Sequence, residues 1–442
     1  MSAYDLIIKN GTVATPGAIE AMDVAVKDGK IAGLGSFDAG SAAEVFDASG
    51  LHVLPGVIDT QVHFREPGAE HKEDIAHGTM AAAMGGVTAI FEMPNTNPLT
   101  LTPETHADKI ARGEAGGWVD FAFFVGGSAE NVGKLHEYEN LPGCPGIKIF
   151  MGSSTGSLLA KDDETLAKIL ADGRRRFAVH AEDEYRLEER KHIAEKEGHP
   201  RVHNIWRDEE TAILATNRIL KLARDAGRPV HILHVTTAEE MDILAANKDI
   251  ATVEVTPNHL TLTAPDCYEE LGSLAQMNPP VREKHHQDAL WRAIEQGVVD
   301  VIGSDHAPHT QEEKAKPYPQ TPSGMTGVQT LLVNMLNHVH EGRLSLRRLV
   351  ELTSAGPQRV YNIASKGRIV KGYDADFAIV DLKAKRTITN DWIASKCGWT
   401  PYDGKQVTGW VMATLVRGNI VMRDDELVGK ASGAPVKFVE TL

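Results

Sequence analysis

The sequence predicts an α/β protein, a (β/α)8 barrel of the TIM type with a small β-sandwich domain formed from both ends of the chain. Eight short apolar segments alternate with helical patterns through the middle of the chain, and turn-rich strand patterns flank that region on both sides. We therefore expect residues 1–54 and 366–442 to form a composite β-sandwich domain and residues 55–365 to form the barrel.

The two flanking regions share one sequence pattern, which predicts short strands separated by tight turns. Near the start, the segments 5–13, 23–35 and 44–56 alternate apolar and polar residues and are broken by Asn-Gly, Asp-Gly and Ser-Gly pairs. Residues 367–388 and 407–427 repeat this pattern near the end. Neither end alone offers much core, so the simplest arrangement joins them in one domain.

The middle of the chain alternates between strand and helix. Helical patterns, for example at 72–86, 163–176, 209–228 and 287–297, lie between most of the apolar segments. Eight such units fit a closed barrel, although a doubly wound open sheet would show the same alternation. The predicted strands cover residues 54–59, 87–93, 119–125, 146–150, 177–181, 230–235, 251–255 and 299–304.

Composition excludes several classes of protein. The 46 Lys and Arg against 61 Asp and Glu give a formal net charge of −15, which argues against a nucleic-acid partner or an anionic membrane surface. Cys144, Cys267 and Cys397 stand far apart without a CxxC pair, so they indicate neither a disulfide framework nor a cysteine zinc site. No signal-peptide pattern and no run near ~20 apolar residues is present, so we predict a cytoplasmic protein.

Polar residues follow the predicted strands at the ends where a barrel would carry its active site. Imidazole and carboxylate groups that converge on one mouth are typical metal ligands, and such a set without cysteine suits zinc but would also accept cobalt or manganese. A single His there is more often a core residue, but several on different strands favour a metal site. The residues in question are Asp59, Gln61, His63, Arg65, Asn95, Lys148, His180, His231, His234, His259, Asp305, His306 and His309.

Lys148 is the sharpest anomaly, because a charged amine between Ile147 and Ile149 is costly inside a barrel strand. Two explanations stay open. The lysine could pair with a carboxylate such as Asp305, or CO₂ could carboxylate its amine and convert it into an anionic ligand shared by two metals.

The motifs in series resemble the amidohydrolase superfamily and, within it, the class I dihydroorotases. The resemblance covers nearly the whole chain, because eight motifs occur in the expected order. They are PGVIDTQVHFREPG (55–68), EMPNTNP (92–98), GIKIFMGSSTG (146–156), VHAEDE (179–184), HILHVTTAEE (231–240), EVTPNHL (254–260), MNPPVR (277–282) and DVIGSDHAPH (300–309).

The resemblance implies a role for each ligand residue. His63 and Asp305 would bind the more buried zinc ion, His180 and His234 would bind the second, and a carboxylated Lys148 would bridge them. Asp305 would also act as general base toward the attacking hydroxide and then protonate the leaving ring nitrogen.

The resemblance also implies a substrate and a partner. Arg65, Asn95 and His309 would clamp its carboxylate, and Asn278 would contact its ring. The implied reaction is the reversible hydrolysis of (S)-dihydroorotate, a small molecule, to N-carbamoyl-L-aspartate in pyrimidine synthesis. A homodimer is expected, and association with aspartate transcarbamoylase is conceivable for this family. The polar loop 310–324 could serve as a lid or be a plain surface loop.

One position departs from the family pattern. The usual His-x-His motif is Gln61-Val62-His63 here, and a glutamine amide is a weaker zinc ligand than imidazole. We therefore expect one tightly bound zinc ion and a second, weaker one. Two alternatives stay open: another cyclic amidase of the allantoinase or hydantoinase type, and an inactive scaffold for a transcarbamoylase.

Overall fold

The computed structural model describes residues 2–14, 17–153 and 158–442, and the motif 146–156 therefore lies partly outside the described residues. The strands are β1 Tyr4–Ala14, β2 Ile19–Lys27, β3 Lys30–Gly35, β4 Ala42–Asp47, β5 His52–Pro55, β6 Val57–Val62, β7 Val87–Glu92, β8 Asp120–Phe123, β9 Val125–Gly126, β10 Ile147–Phe150, β11 Phe177–His180, β12 Val230–Ile232, β13 Ala251–Val255, β14 Val301–Ile302, β15 Phe377–Thr387, β16 Gln406–Val416, β17 Asn419–Arg423 and β18 Glu426–Leu427.

Helices connect most of the central strands. They are α1 Ile75–Met84, α2 Pro103–Gly116, α3 Leu135–Tyr138, α4 Asp163–Ala171, α5 Glu184–Glu197, α6 His203–Trp206, α7 Glu209–Ala226, α8 Ala238–Ala245, α9 Pro257–Thr261, α10 Asp266–Leu271, α11 Lys284–Glu295, α12 Gln311–Lys314, α13 Leu331–His340, α14 Leu346–Val350 and α15 Gly356–Tyr361. Within the described ranges, no helix is both long and apolar enough to cross a membrane.

Strands β6 to β14 pair in chain order, all in parallel, and form the wall of a barrel. Only Phe124 separates β8 from β9, so these two strands occupy one position in an eight-position wall. The wall closes where Val62, at the end of β6, bridges His306, and the His63 N–H donates to the His306 carbonyl at 2.7 Å. The predicted barrel is confirmed, and the open doubly wound sheet is wrong.

The first barrel strand lies further along the chain than predicted. β6 covers Val57–Val62, whereas the sequence predicts a strand at 54–59, and all six of its residues are buried. Gln61, which the sequence predicts just after the strand, therefore lies within it. Polar residues inside a buried barrel strand resemble loop residues in a sequence, which explains the error.

Strands from both chain ends share one nine-stranded sheet, ordered β18-β17-β16-β15-β5-β1-β2-β3 with β4 also on β1. The junction is the antiparallel pairing of β5 with β15, from Pro55 opposite Phe377 to His52 opposite Val380. Apolar residues from both ends, among them Leu6, Phe377 and Leu415, pack in one core under this sheet. The exact division at residues 54/55 and 365/366 stays a prediction.

Helix ends show why the helices begin and stop where they do. Asp74 accepts a hydrogen bond from the His77 backbone N–H at 2.8 Å and so caps the start of α1. Asp208 caps α7 in the same way, and Gly227 ends it in the left-handed conformation at φ 64°. These caps fix where the chain leaves each strand end and enters the following helix.

Candidate functional site

The carboxyl ends of the parallel strands bring the predicted ligand residues to one mouth of the barrel. His63 directly follows β6, and His180 is the last residue of β11. His234 lies two residues after β12, and Asp305 lies three residues after β14. All four are buried, and they form two pairs.

The first pair is His63 and Asp305. The His63 Nδ1–H donates to the Asn95 side-chain oxygen at 2.9 Å, which leaves Nε2 as the basic nitrogen. This Nε2 lies 3.3 Å from Asp305 Oδ1, and burial lowers the pKa of His63, which favours the neutral ring. Two Lewis bases therefore face the same point. Gln61 Nε2 donates to the same carboxylate oxygen at 3.1 Å.

The second pair is His180 and His234, whose Nδ1 and Nε2 atoms lie 3.0 Å apart. His180 Nε2 contacts the Glu182 carboxylate at 2.8 Å, and Arg207 in turn donates to Glu182. Burial would raise the pKa of Glu182, but Arg207 and His180 hold it far below its usual range. The carboxylate is therefore ionised and orients the imidazole. Burial lowers the pKa of His234 well below its usual value.

Lys148 lies on β10 among these residues and is fully buried. Its Nζ lies 4.3 Å from the centroid of the Phe150 ring and has no hydrogen-bond partner within the described part of the chain. Burial lowers the pKa of the amine to about 7, against the opposing charges of Asp305 and Glu254. Of the two explanations, the ion pair with Asp305 is not formed, and the lowered pKa makes the neutral amine accessible near neutral pH.

The donor set fits a metal centre that needs one more anionic ligand. Among residues 2–14, 17–153 and 158–442, no three His, Cys, Asp or Glu side chains form a compact metal-binding group. The four candidates instead supply two ligands on each side. Lys148 Nζ, His234 Nδ1 and Gln61 Oε1 are buried without a hydrogen-bond partner in the described structure, which marks a site built for an additional group.

Three mouth residues adopt the left-handed backbone conformation that L-residues rarely take. The φ angles are 64° for Arg65, 39° for His234 and 49° for Asp305. Each such residue costs on the order of 1 kcal/mol or more, and such strain persists where function requires a particular side-chain direction. The backbone strain at these three residues therefore lowers the stability of the fold and sets the direction of their side chains.

Arg65 and His309 place two nitrogen donors side by side at the mouth. Lys72 Nζ lies 3.2 Å from His309 Nδ1, so Nδ1 is the acceptor, and Nε2–H donates to the Ser323 carbonyl at 3.0 Å. A terminal guanidinium nitrogen of Arg65 lies 3.2 Å from this Nε2, and its Nε donates to the Pro308 carbonyl at 3.1 Å. Burial lowers the pKa of Arg65 to about 10, which leaves it charged at neutral pH.

Arg65 forms no ion pair with a carboxylate in the described part of the protein. The neighbouring Glu66, the simplest partner on sequence grounds, instead pairs with Arg112 at 2.8 Å and accepts from the Ile75 N–H. A buried guanidinium without an anionic partner is costly. Arg65 is therefore suited to receive an anion from outside the chain.

The other two predicted substrate residues occupy different surroundings. Asn95 lies against His63, as described above, and so contributes to the orientation of that ring. The Asn278 side-chain oxygen accepts from His203 Nε2 at 2.9 Å, and His203 Nδ1 lies 3.2 Å from the Tyr318 hydroxyl of the 310–324 loop. The loop is anchored by Lys314, whose ammonium donates to the carbonyl of Gly324 and to two others.

Sequence reasoning missed several residues that support the site. Glu182 stands two residues after His180, and a His-x-Glu spacing at a strand end could have suggested it. Arg207 lies in a loop far along the chain, and no sequence signal points to it. Thr60 donates to the Glu254 carboxylate at 2.7 Å inside the barrel, where burial raises the pKa of Glu254 to about 8.

Comparisons with known proteins show the family to which the chain belongs. The amidohydrolase family model matches residues 52–421. The chain is 37% identical over 414 residues to a dihydroorotase of Pyrococcus abyssi, with 93% of each chain covered. It is 35% identical to an allantoinase of Rubrobacter xylanophilus, with 99% of this chain and 98% of that one covered. The L-hydantoinase (dihydropyrimidinase) from Arthrobacter aurescens superposes with a TM-score of 0.93 at 29% identity, covering 98% and 99% of the two chains.

Proposed function

Because this chain belongs to the amidohydrolase family and is an enzyme of the cyclic amidohydrolase type, we propose that it is a dihydroorotase. The reaction is the reversible hydrolysis of (S)-dihydroorotate to N-carbamoyl-L-aspartate, a step of pyrimidine synthesis. Allantoinases and hydantoinases are also among the similar proteins, so the choice of ring is the specific part of the proposal.

The observation that carries this choice is the Arg65 guanidinium at the mouth. Dihydroorotate bears a carboxylate on its ring, whereas hydantoin and allantoin do not. Arg65 is buried, charged and without a carboxylate partner in the described residues, and its neighbour His309 lies 3.2 Å away. A charge-assisted bond to the substrate carboxylate supplies the missing counter-charge and places the ring over the metal ligands.

The chain's own residues then carry the proton transfers. Asp305 Oδ1 faces His63 and accepts the proton of the attacking water, and Asp305 later delivers it to the ring nitrogen that leaves. Glu182 and Asn95 hold the rings of His180 and His63 in fixed orientations. Asn278 contributes contacts to the ring.

Members of the family generally use a divalent metal, commonly zinc. In this proposal His63 and Asp305 would hold one ion, His180 and His234 would hold the other, and a carboxylated Lys148 would supply a further anionic ligand. Zinc in these positions supplies an activated water and polarises the ring carbonyl. A neutral Lys148 amine attacks CO₂, forms the N–C bond and releases one proton, and its pKa of about 7 makes the neutral form available.

Gln61 predicts unequal zinc affinities. We expect calorimetric titration of metal-free protein to show one tight zinc site and a second that is weaker by at least tenfold, because the His63 side lacks its usual second imidazole. Gln61→His should tighten the weaker site and leave the tight one unchanged. Two equally tight sites in the wild type would contradict this expectation.

Arg65 tests the substrate directly. Arg65→Met keeps an unbranched apolar stem and removes the charged guanidinium, so KM for dihydroorotate should rise about 100-fold, in line with the loss of a charged hydrogen bond worth roughly 3 kcal/mol. Zinc content should stay unchanged. Steady-state ring-opening rates, with zinc and bicarbonate supplied, measure the effect.

Arg112→Met is the matched control, because Arg112 pairs with Glu66 beside the mouth and should leave KM within a factor of two. Wild-type kinetics in Arg65→Met would remove the basis for the substrate. If the wild type fails to open dihydroorotate but opens hydantoin or allantoin, the enzyme is one of those cyclic amidases. A zinc-free, inactive protein that binds aspartate transcarbamoylase would instead support the scaffold function.

The assembly and location remain further parts of the proposal. The family resemblance supports a homodimer and allows association with aspartate transcarbamoylase. The sequence supports a cytoplasmic location.

A further inference from the structure

We propose that Trp399, which lies between β15 and β16, is a positioning residue for Arg65 and His309, the pair here named the clamp. It would thereby increase selectivity for rings that carry a carboxylate. This inference rests on the proposed function, because it concerns the same clamp. It concerns a residue that lies outside all eight sequence motifs and follows β15, far along the chain from Arg65.

The argument begins with the segment that connects β15 to β16, residues 388–405, here named the strap. The strap crosses from the nine-stranded sheet to the barrel mouth and there bonds to two loops and to helix α9. The Lys396 backbone N–H donates to Glu73, after β6, at 3.1 Å. The Tyr402 hydroxyl donates to Asn258, after β13, at 2.6 Å.

The third of these bonds joins the strap to His309, a residue of the clamp. The Trp399 indole N–H donates to the backbone carbonyl of His309 at 2.7 Å, and the residue is 2% exposed. On the other side, the Thr326 hydroxyl donates to the Trp399 carbonyl at 2.8 Å. The indole is therefore fixed in position and can in turn fix the loop that carries His309.

Two consecutive carbonyls of this loop are held from opposite parts of the protein. Arg65 Nε donates to the Pro308 carbonyl at 3.1 Å, and Trp399 donates to the next carbonyl, that of His309. The peptide between them is thus held by the clamp residue and by the strap together. Loss of the Trp399 bond frees one of these two restraints and leaves a buried carbonyl without that donor.

The expected consequence is selective. The 3.2 Å approach of His309 to Arg65 depends on this loop, whereas Trp399 forms no hydrogen bond with His63, Asp305, His180 or His234 in the described part of the chain. A loosened clamp therefore weakens binding of a carboxylated ring and spares the reacting groups. Binding of a ring without a carboxylate should not change, because such a ring makes no ionic bond with the clamp.

The test compares two conservative variants in the same strap. Trp399→Phe keeps an aromatic ring and removes only the N–H donor. Trp392→Phe removes an equivalent indole N–H, which donates to Asp425 at 3.0 Å, away from the clamp, and serves as the matched control. Zinc content and thermal unfolding of both variants show whether each is folded and loaded with metal.

For Trp399→Phe we expect KM for dihydroorotate to rise about tenfold with kcat within a factor of two, and Trp392→Phe to match the wild type. Any turnover of hydantoin should be equal in all three proteins. Equal KM values in Trp399→Phe and wild type would overturn the inference and leave the proposed function intact. Equal increases of KM in both variants would also overturn it, because they would show that the strap has only a structural role. A wild type without dihydroorotate turnover would instead refute the proposed function and the inference with it.

Discussion

Asp305→Asn is expected to lower kcat/KM for dihydroorotate ring opening by about 10³-fold, within the range that a lost general base costs. The substitution keeps the shape of the side chain, and its oxygen can still accept from Gln61 Nε2, which lies 3.1 Å away. What disappears is the negative charge that faces His63 Nε2 at 3.3 Å and the site that accepts the proton. Initial rates with zinc and bicarbonate supplied measure the loss.

Asp59→Asn provides a matched control for this loss. Asp59 is buried on β6, and its Oδ1 accepts from the backbone N–H groups of Gln61 and Ser304, bonds that an asparagine oxygen can also accept. We expect this variant to keep its rate to within about tenfold. A rate in Asp305→Asn as high as in the control would refute the assigned role of Asp305.

Lys148→Met is expected to abolish zinc-dependent ring opening and yet to stabilise the metal-free fold by about 1–3 kcal/mol. The wild-type amine is fully buried without a hydrogen-bond partner in the described structure, and a methionine of similar shape removes that cost. Urea unfolding of chelator-treated protein measures the gain, and zinc titration measures the loss of the shared ligand. A variant that keeps both zinc ions and turnover would show that Lys148 is not a ligand.

Lys109→Met should have the opposite effect on stability. Lys109 is equally buried, but its ammonium contacts the Glu92 carboxylate and donates to the Met93 carbonyl at 3.0 Å. Its removal leaves a buried carboxylate uncompensated, which costs about 3–5 kcal/mol. The opposite signs of these two changes separate an amine retained for function from one retained for the fold.

The stability gain in Lys148→Met should also depend on pH. The Lys148 pKa of about 7 in the folded protein lies below its ordinary value of 10.5. Between these values the unfolded chain binds the proton and the folded chain does not, so rising pH stabilises the metal-free wild type. The advantage of the methionine variant should therefore be largest near pH 7 and shrink toward pH 10.

The barrel could be predicted because its strands are apolar runs, and most of them end in polar residues that would be costly unless they met at one barrel mouth. His180 and Asp305 follow such runs, so their convergence at one mouth was foreseeable. The wrong limits of the first strand have the same origin, because Thr60 and Gln61 are polar and interrupt the apolar run of a strand that is buried throughout. A sequence does not show which side of a strand is lined with polar groups.

The supporting contacts could not be predicted, because they join residues that are distant in the chain. Arg207 holds Glu182, and Trp399 holds the loop of His309, across separations for which one sequence offers no pattern. The left-handed backbone of His234 and Asp305 is equally hidden, since nothing in those residue types calls for it. Such details depend on the closed fold and not on local propensity.

The pairing of β5 with β15 has a consequence for how the protein is made. About 320 residues separate Pro55 from Phe377, so at 5–20 residues per second β5 waits roughly 15–65 s during synthesis before its partner strand β15 exists. During that time β5 presents an open edge to the surroundings. The N-terminal part of the nascent chain therefore needs protection from aggregation, although in the folded protein this edge of β5 is paired with β15. A nascent chain stalled before residue 377 would be the form most dependent on chaperones.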